Sequence, residues 1–391
     1  MVRHMKIKKT HPDSFYQAET TDGVTLWMKR YRPKKGKIAP YPIVLCHGLL
    51  ANKNSLDFGE PTDDNDIWDR FSLAGFLYNG GDDGRICYDV WVPELRGRRS
   101  YSEYDIAKRG QVPETLHWCV DDYIDKDVPA IIKTIKKTYE EEQEQFPGLF
   151  WIGMSMGGML AYAHGQTAQG KQDFKGVITI GSPVSFEYSH SMFAKLKSFA
   201  PRNMFIRLNL RSILENNIRF KDMFLKNALK TGNCDKEDVE LYIEAGFDNS
   251  ISSKVLSHFG IFYRHKTFCR YPSRPWVYDL LGGIPLIGKY IAPYSWTANL
   301  FKFTSPLLAI AGSADDEAPI EEVQYARDHV GSSDVGYLEC SLSSSIGKEY
   351  SHLDFHLGKN VKEEVYPHLY HWLVTQSKTG EKRKRRPKKK A

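Results

Sequence analysis

The sequence has no Cys-x-x-Cys pair: its six cysteines, Cys46, Cys87, Cys119, Cys234, Cys269 and Cys340, are scattered. That spacing excludes zinc ribbons, paired-thiol redox motifs and a disulfide framework, and it predicts free thiols in a reducing compartment. No Asn-x-Ser/Thr acceptor occurs, and the stretch from Met1 to Pro12 lacks the apolar run of a secretory signal. Nor does any window reach the roughly 20 apolar residues of a membrane-spanning helix. Even Trp276 to Tyr294 is interrupted by Asp279, Pro285 and Lys289. These absences predict a cytoplasmic chain with neither signal peptide nor transmembrane segment. The formal charge of +6 is carried by the end of the chain, where Lys382 to Lys390 holds eight basic residues and leaves 46 basic against 48 acidic elsewhere. The body is near neutral. The tail, 378–391, reads as a disordered basic appendage able to touch anionic membrane or nucleic acid peripherally, and no obligate protein partner is implied.

What is present is a rhythm of strands and helices. Phe15 to Thr20 and Val24 to Tyr31 alternate around Asp22-Gly23 like a β-hairpin. Short apolar runs follow at Ile43–Cys46, Tyr88–Val92, Leu149–Gly153, Val177–Ile180, Leu307–Ala311 and Gly336–Cys340, separated by helical patterns. Between Asp121 and Tyr139, Ile124, Val128, Ile131, Ile132 and Ile135 recur at helical spacing. The pattern predicts an α/β fold, a mostly parallel sheet with helices on both faces. From 184 to 305 strand patterning fades into aromatic-rich helical segments, with 21 of the chain's 50 aromatics between residues 184 and 303. That concentration suggests an inserted helical cap between two core parts, 13–183 and 306–377, although most of these rings would serve as the cap's own core.

Gly153-Met154-Ser155-Met156-Gly157 stands between a buried strand and a helical run, the setting of a nucleophile elbow. The serine must take a strained backbone conformation there, and small neighbours two residues away keep the turn free of collisions. A serine hydroxyl needs a base, and the base an orienting carboxylate. In chain order these fall at Asp315, beyond the run Leu307–Ala311, and at His352, beyond the last strand. Asp316 and Glu317 rival Asp315, and His356 rivals His352. His352 and His356 do not make a zinc-protease pair, because Leu353 stands where that motif needs Glu. The amides of Leu49, in Cys46-His47-Gly48-Leu49-Leu50, and of Met156 would form an oxyanion hole. The acidic stretch Asp57 to Asp69 lacks EF-hand spacing and reads as a solvated loop, so no cofactor and no metal are expected.

These motifs resemble the acid lipase family of α/β-hydrolases, the gastric and lysosomal lipases and their relatives. The resemblance is carried by His47-Gly48-Leu49-Leu50, by Tyr88-Asp89-Val90-Trp91-Val92-Pro93-Glu94-Leu95-Arg96-Gly97, by Asp121-Asp122-Tyr123-Ile124-Asp125-Lys126-Asp127-Val128-Pro129-Ala130, by the Ser155 elbow and by His352-Leu353-Asp354-Phe355. It departs from the family at Met154 and Met156, where His and Gln usually flank the serine, and at Glu94, where an Asn is common. The resemblance implies an α/β-hydrolase fold and hydrolysis of acylglycerol or sterol esters beneath a helical lid, with nucleophile, acid, base and oxyanion positions at Ser155, Asp315, His352, Leu49 and Met156. Residues and resemblance together predict a serine hydrolase cleaving carboxylic esters through an acyl-enzyme. An acyltransferase or thioesterase on the same fold, or a catalytically silent binding protein, are the alternatives.

Overall fold

The computed structural model describes residues 15–59, 66–98, 117–189, 207–208, 216–247 and 251–385. Eight strands make the central sheet of these residues: β1 (Phe15–Glu19), β2 (Thr25–Tyr31), β3 (Ile43–Cys46), β4 (Val90–Pro93), β5 (Leu149–Met154), β6 (Phe174–Ile180), β7 (Leu307–Gly312) and β8 (Val335–Cys340). Their spatial order is β1-β2-β4-β3-β5-β6-β7-β8. β1 pairs antiparallel with β2, and β2 with β4; all other neighbours are parallel. The opening hairpin closes where Asp-Gly indicated, with Glu19 opposite Thr25 and Gly23 at a φ of +76°.

β5 lies at the centre, and all six of its residues are buried. Leu149 and Trp151 join one apolar cluster, while Phe150, Ile152 and Met154 join the other, because successive side chains of a strand leave opposite faces. On the first face packs helix α1 (Val128–Glu141), through Val128, Ile131, Ile132 and Ile135. The turn before it, Tyr123–Asp127, is π-helical where the sequence pattern suggested a continuous α-helix. Pro129 accounts for this: it has no N–H to bond the carbonyl four residues back, and its ring would collide with that carbonyl, so the preceding turn widens. Helix α2 (Met156–Gly165) shares that face.

Between β6 and β7 the described residues are mainly helical: α3 (Ile218–Ala228), α4 (Lys236–Ala245), α5 (Ser253–His265), α6 (Pro275–Leu281) and α7 (Pro285–Ile291). Local chemistry sets several ends. Ser252 caps α5 through the amide of Lys254, and Pro275 and Pro285 stand in the first turns of α6 and α7, where a missing N–H costs nothing. α3 and α4 pack with Phe58, Ile67, Phe71 and Leu357 in a third apolar cluster. After β7 comes α8 (Ile320–His329), and the chain ends in α9 (Tyr366–Arg385), whose Leu369 and Leu373 cover the second face of the sheet.

Two expectations are corrected. α9 continues through residues 378–385, the first part of the tail read as disordered, since the Lys, Arg and Glu that make up most of it cost little in a helix despite Gly380; 386–391 lie outside the described residues. Asp57, read as part of a solvated acidic loop, is fully buried; it accepts from Lys53 Nζ at 2.7 Å and from the Tyr31 hydroxyl at 3.0 Å. Residues 60–65 of that stretch lie outside the described residues.

Candidate active site

The parallel strands end at one edge of the sheet, and the residues singled out from the sequence follow those ends. Ser155 comes directly after β5 at φ +54° and ψ −119°, a region that L-residues rarely occupy. Its amide donates to the Ile180 carbonyl at 2.8 Å, and its carbonyl accepts from Gly158 and Met159 in the first turn of α2. Close backbone packing explains the flanking glycines. A Cβ on Gly153 would stand 2.3 Å from the backbone of Gly157, and one on Gly157 would stand 2.2 Å from the Cys46 carbonyl oxygen.

Asp315 and His352 meet at this edge, the carboxylate Oδ2 lying 2.7 Å from Nδ1 of the imidazole. Asp315 follows β7, and its side chain is fully buried, with Oδ1 accepting from the amides of Glu317 and Ala318 at 2.9 Å each. Those two bonds fix the carboxylate before the histidine arrives. Because a carboxylate only accepts, Nδ1 of His352 carries the proton of this bond, which leaves Nε2 as the nitrogen facing away from Asp315. The pair has room through Gly181 at the end of β6: a Cβ there would fall 2.8 Å from Asp315 Oδ2 and 3.2 Å from His352 Nδ1.

The loop after β3 completes the edge. A Cβ on Gly48 would lie 3.1 Å from that of Ser155, so the backbone leading into Leu49 runs against the serine. Met156, the other expected oxyanion donor, is the first residue of α2, where an amide has no partner within its own helix. His47 holds this loop. Its Nδ1 donates to the Gly48 carbonyl at 3.0 Å and its Nε2 accepts from the Leu95 amide at 3.3 Å. Burial, with Arg98 nearby, lowers its pKa to about 3, so the ring is neutral and the two bonds define its tautomer. Ser155 and His352 line one cleft, about 690 Å³ including space open to solvent, whose walls carry Leu49, Leu50, Phe224, Ala228, Phe247 and Leu353.

No family model matches the chain. Triacylglycerol lipase 1 of Arabidopsis thaliana is 22% identical over 396 aligned positions, covering 95% of this chain and 90% of that protein. A soluble variant of monoglyceride lipase from Saccharomyces cerevisiae, solved with a substrate analogue, superposes with a TM-score of 0.54 at 15% identity, covering 96% of this chain and 99% of that one. An esterase from Exiguobacterium antarcticum gives 0.51 at 15% identity, over 95% and 100%. The chain has the α/β-hydrolase fold. Its sheet is mostly parallel, and Ser155, Asp315 and His352 all follow strand ends.

Within this hydrolase fold the rival residues stand outside the Asp315–His352 pair. His356 is buried and donates from Nδ1 to the Ser55 carbonyl at 2.8 Å, and burial next to His352 lowers its pKa to about 3. It is a packing residue, where an exposed or capping role was the alternative expected. Asp316 lines the cleft and pairs with Lys230 at 2.5 Å. Glu317 lines the cleft.

Several residues that sequence reasoning passed over hold the site. Asp354, fully buried, accepts from the amide of Ser351 at 2.6 Å, from Thr231 Oγ1 at 2.8 Å, from Asn233 Nδ2 at 3.1 Å and from Cys234 Sγ at 3.1 Å. It ties the His352 loop to the segment between α3 and α4. Glu322 on α8, also fully buried, receives the amides of Ser185, Phe186 and Tyr188 and so clamps the loop that leaves β6. Neither has a local sequence signal, since every partner but Ser351 is distant along the chain. Among the described residues, one group could hold a metal ion: Cys119, Asp121 and His258, whose ligand atoms lie within 4.8 Å of one another. None of the three is among the residues lining the cleft.

Proposed function

We propose that this protein is a carboxylic ester hydrolase that works through an acyl-enzyme on Ser155. His352 Nε2 takes the hydroxyl proton as Ser155 Oγ attacks the scissile carbonyl, and Asp315 keeps the imidazole in the tautomer that can do so. The Leu49 and Met156 amides receive the negative charge that develops on the carbonyl oxygen; a donor of this kind is worth about 3–4 kcal/mol in the transition state. The intermediate expels the alcohol, which takes the proton back from His352, and a water activated by the same ring then releases the acid. Every step uses groups of the chain itself. The observation that carries the reading is the 2.7 Å Asp315–His352 pair on the cleft that also holds the strained Ser155.

For the substrate, we infer a lipid-like or acylglycerol ester. The apolar walls contributed by Phe224, Ala228 and Phe247 suit an acyl chain, and the resemblance to acid lipases and the Arabidopsis relative point the same way. The segment 184–305, which supplies those three residues, acts as the cap. The free thiols, all six buried, fit a reducing cytoplasmic setting. The test is labelling with a fluorophosphonate probe together with a panel of esters graded from short to long acyl chains, including mono- and triacylglycerols. Labelling confined to Ser155, with turnover lost in Ser155→Ala, is expected. Turnover that survives Ser155→Ala would overturn the mechanism, and transfer of the acyl group to added alcohols in preference to water would identify an acyltransferase.

A further inference from the structure

We propose that the helical pair α6–α7 is a docking surface for an anionic lipid membrane. Between Trp276 and Tyr290 the chain exposes six large apolar side chains: Trp276 at 60%, Leu280 at 71%, Ile284 at 43%, Leu286 at 81%, Ile287 at 41% and Tyr290 at 89%. Single exposed apolar residues are ordinary on any protein, whereas six along one short hairpin form a patch of the kind that meets a partner or a membrane. The hairpin is anchored from behind, with Tyr278 buried and stacked on His265 at 4.0 Å, so these side chains have no route inward.

Charge selects the partner. Asp279 is the one acidic residue between Tyr271 and Trp296, and its side chain is only 5% exposed, held by Arg264 at 3.0 Å and His265 at 2.9 Å. Arg274 and Lys289 stand exposed on the same hairpin. Exposed apolar side chains that include Trp and Tyr, with Arg274 and Lys289 exposed on the same segment, match the chemistry of an anionic bilayer surface, where amphipathic rings settle at headgroup depth and basic side chains meet lipid charge. Among the described residues no helix is long and apolar enough to cross a membrane, so the hairpin lies on the surface. This docking is independent of the ester chemistry at Ser155.

The experiment is flotation of the full chain with vesicles of phosphatidylcholine alone and with added phosphatidylserine. Binding is expected, stronger on the anionic vesicles. The double variant Leu286→Asp/Tyr290→Asp should lower partitioning roughly 100-fold, about tenfold or more for each side chain kept from the bilayer. Arg274→Gln and Lys289→Gln should each weaken binding about fivefold, on anionic vesicles alone. Deleting Lys382–Ala391 should leave the hairpin-dependent part intact, which separates this surface from the basic tail. Circular dichroism and thermal melting matching wild type would show that the variants fold. Vesicle binding unaffected by the double variant would overturn the proposal. So would a wild-type protein that binds no vesicle, or one that sediments as a dimer which the double variant converts to monomer.

Discussion

The sheet edge and the inserted helices treat apolar residues in opposite ways. In β5 every side chain is buried and the strand ends in a serine whose conformation is fixed by backbone contacts on both sides. In α6 and α7, Leu286 and Tyr290 are more than four-fifths exposed. Groups that must be placed to within fractions of an ångström stand on rigid strand ends, while the segment proposed to meet acyl chains and a membrane surface is added between β6 and β7, where it can vary without moving those groups. The contrast can be broken or sharpened by substitution on each side.

The largest effect belongs to the edge. Ser155→Ala should reduce kcat for a soluble ester by about 10⁶-fold, by removing the nucleophile, and Asp315→Asn by about 10⁴-fold, by allowing the wrong tautomer of His352. Melting temperatures close to wild type would show that chemistry, not folding, was lost. An Asp315→Asn variant within tenfold of wild type would mean that the carboxylate does not orient the base.

Stability should divide along the same line. Ile310 in β7 is fully buried in the second apolar cluster, and Ile310→Ala should cost about 2–5 kcal/mol in urea unfolding, the usual range for such a truncation. Leu286→Ser, on the exposed hairpin, should change stability by no more than about 0.5 kcal/mol. Equal losses would show that the hairpin is covered in solution.

Gly181→Ala joins the two regions, since Gly181 ends β6, where the chain leaves the sheet for the insertion. The residue sits at φ +52°, and the new methyl would press on Asp315 Oδ2 and His352 Nδ1. Displacing that pair by even 1 Å should lower kcat about 100-fold with KM little changed. A fall confined to KM would instead place the effect in the cleft walls.

The legible part of the sequence was the part written in local patterns. Strand alternation, the Asp-Gly turn and the glycines around Ser155 act within a few residues, so their positions could be read directly, and chain order led to Asp315 and His352. The roles of Gly181, Glu322 and Asp354 were missed because they depend on neighbours brought up by other strands and helices, even though Asp354 stands in the motif that follows His352. Composition could not separate the buried from the exposed rings of the insertion. Phe259 and Phe262 are buried whereas Trp276 and Tyr290 are exposed, yet both pairs lie in apolar, helix-compatible segments; only the packing of α5 against the core separates them.

The last effect concerns acid. His47 at the sheet edge and His356 beside the inserted helices are both neutral in the fold, their pKa values lowered by burial from an ordinary 6.5 to about 3. The unfolded chain therefore binds two protons that the native state refuses as pH falls from 6.5 toward 3. Their contribution is intact above 6.5 and is lost progressively below it, at roughly 1.4 kcal/mol per pH unit for each ring once the unfolded histidines are protonated. Urea unfolding between pH 7.5 and 4.5 should show that decline, and His356→Gln should remove about half of the part these two rings supply, because the amide can still donate to the Ser55 carbonyl without taking up a proton. A slope that the substitution leaves unchanged would mean that His356 is already charged in the native protein, and that the contact between the inserted helices and the His352 loop is wetter than its geometry implies.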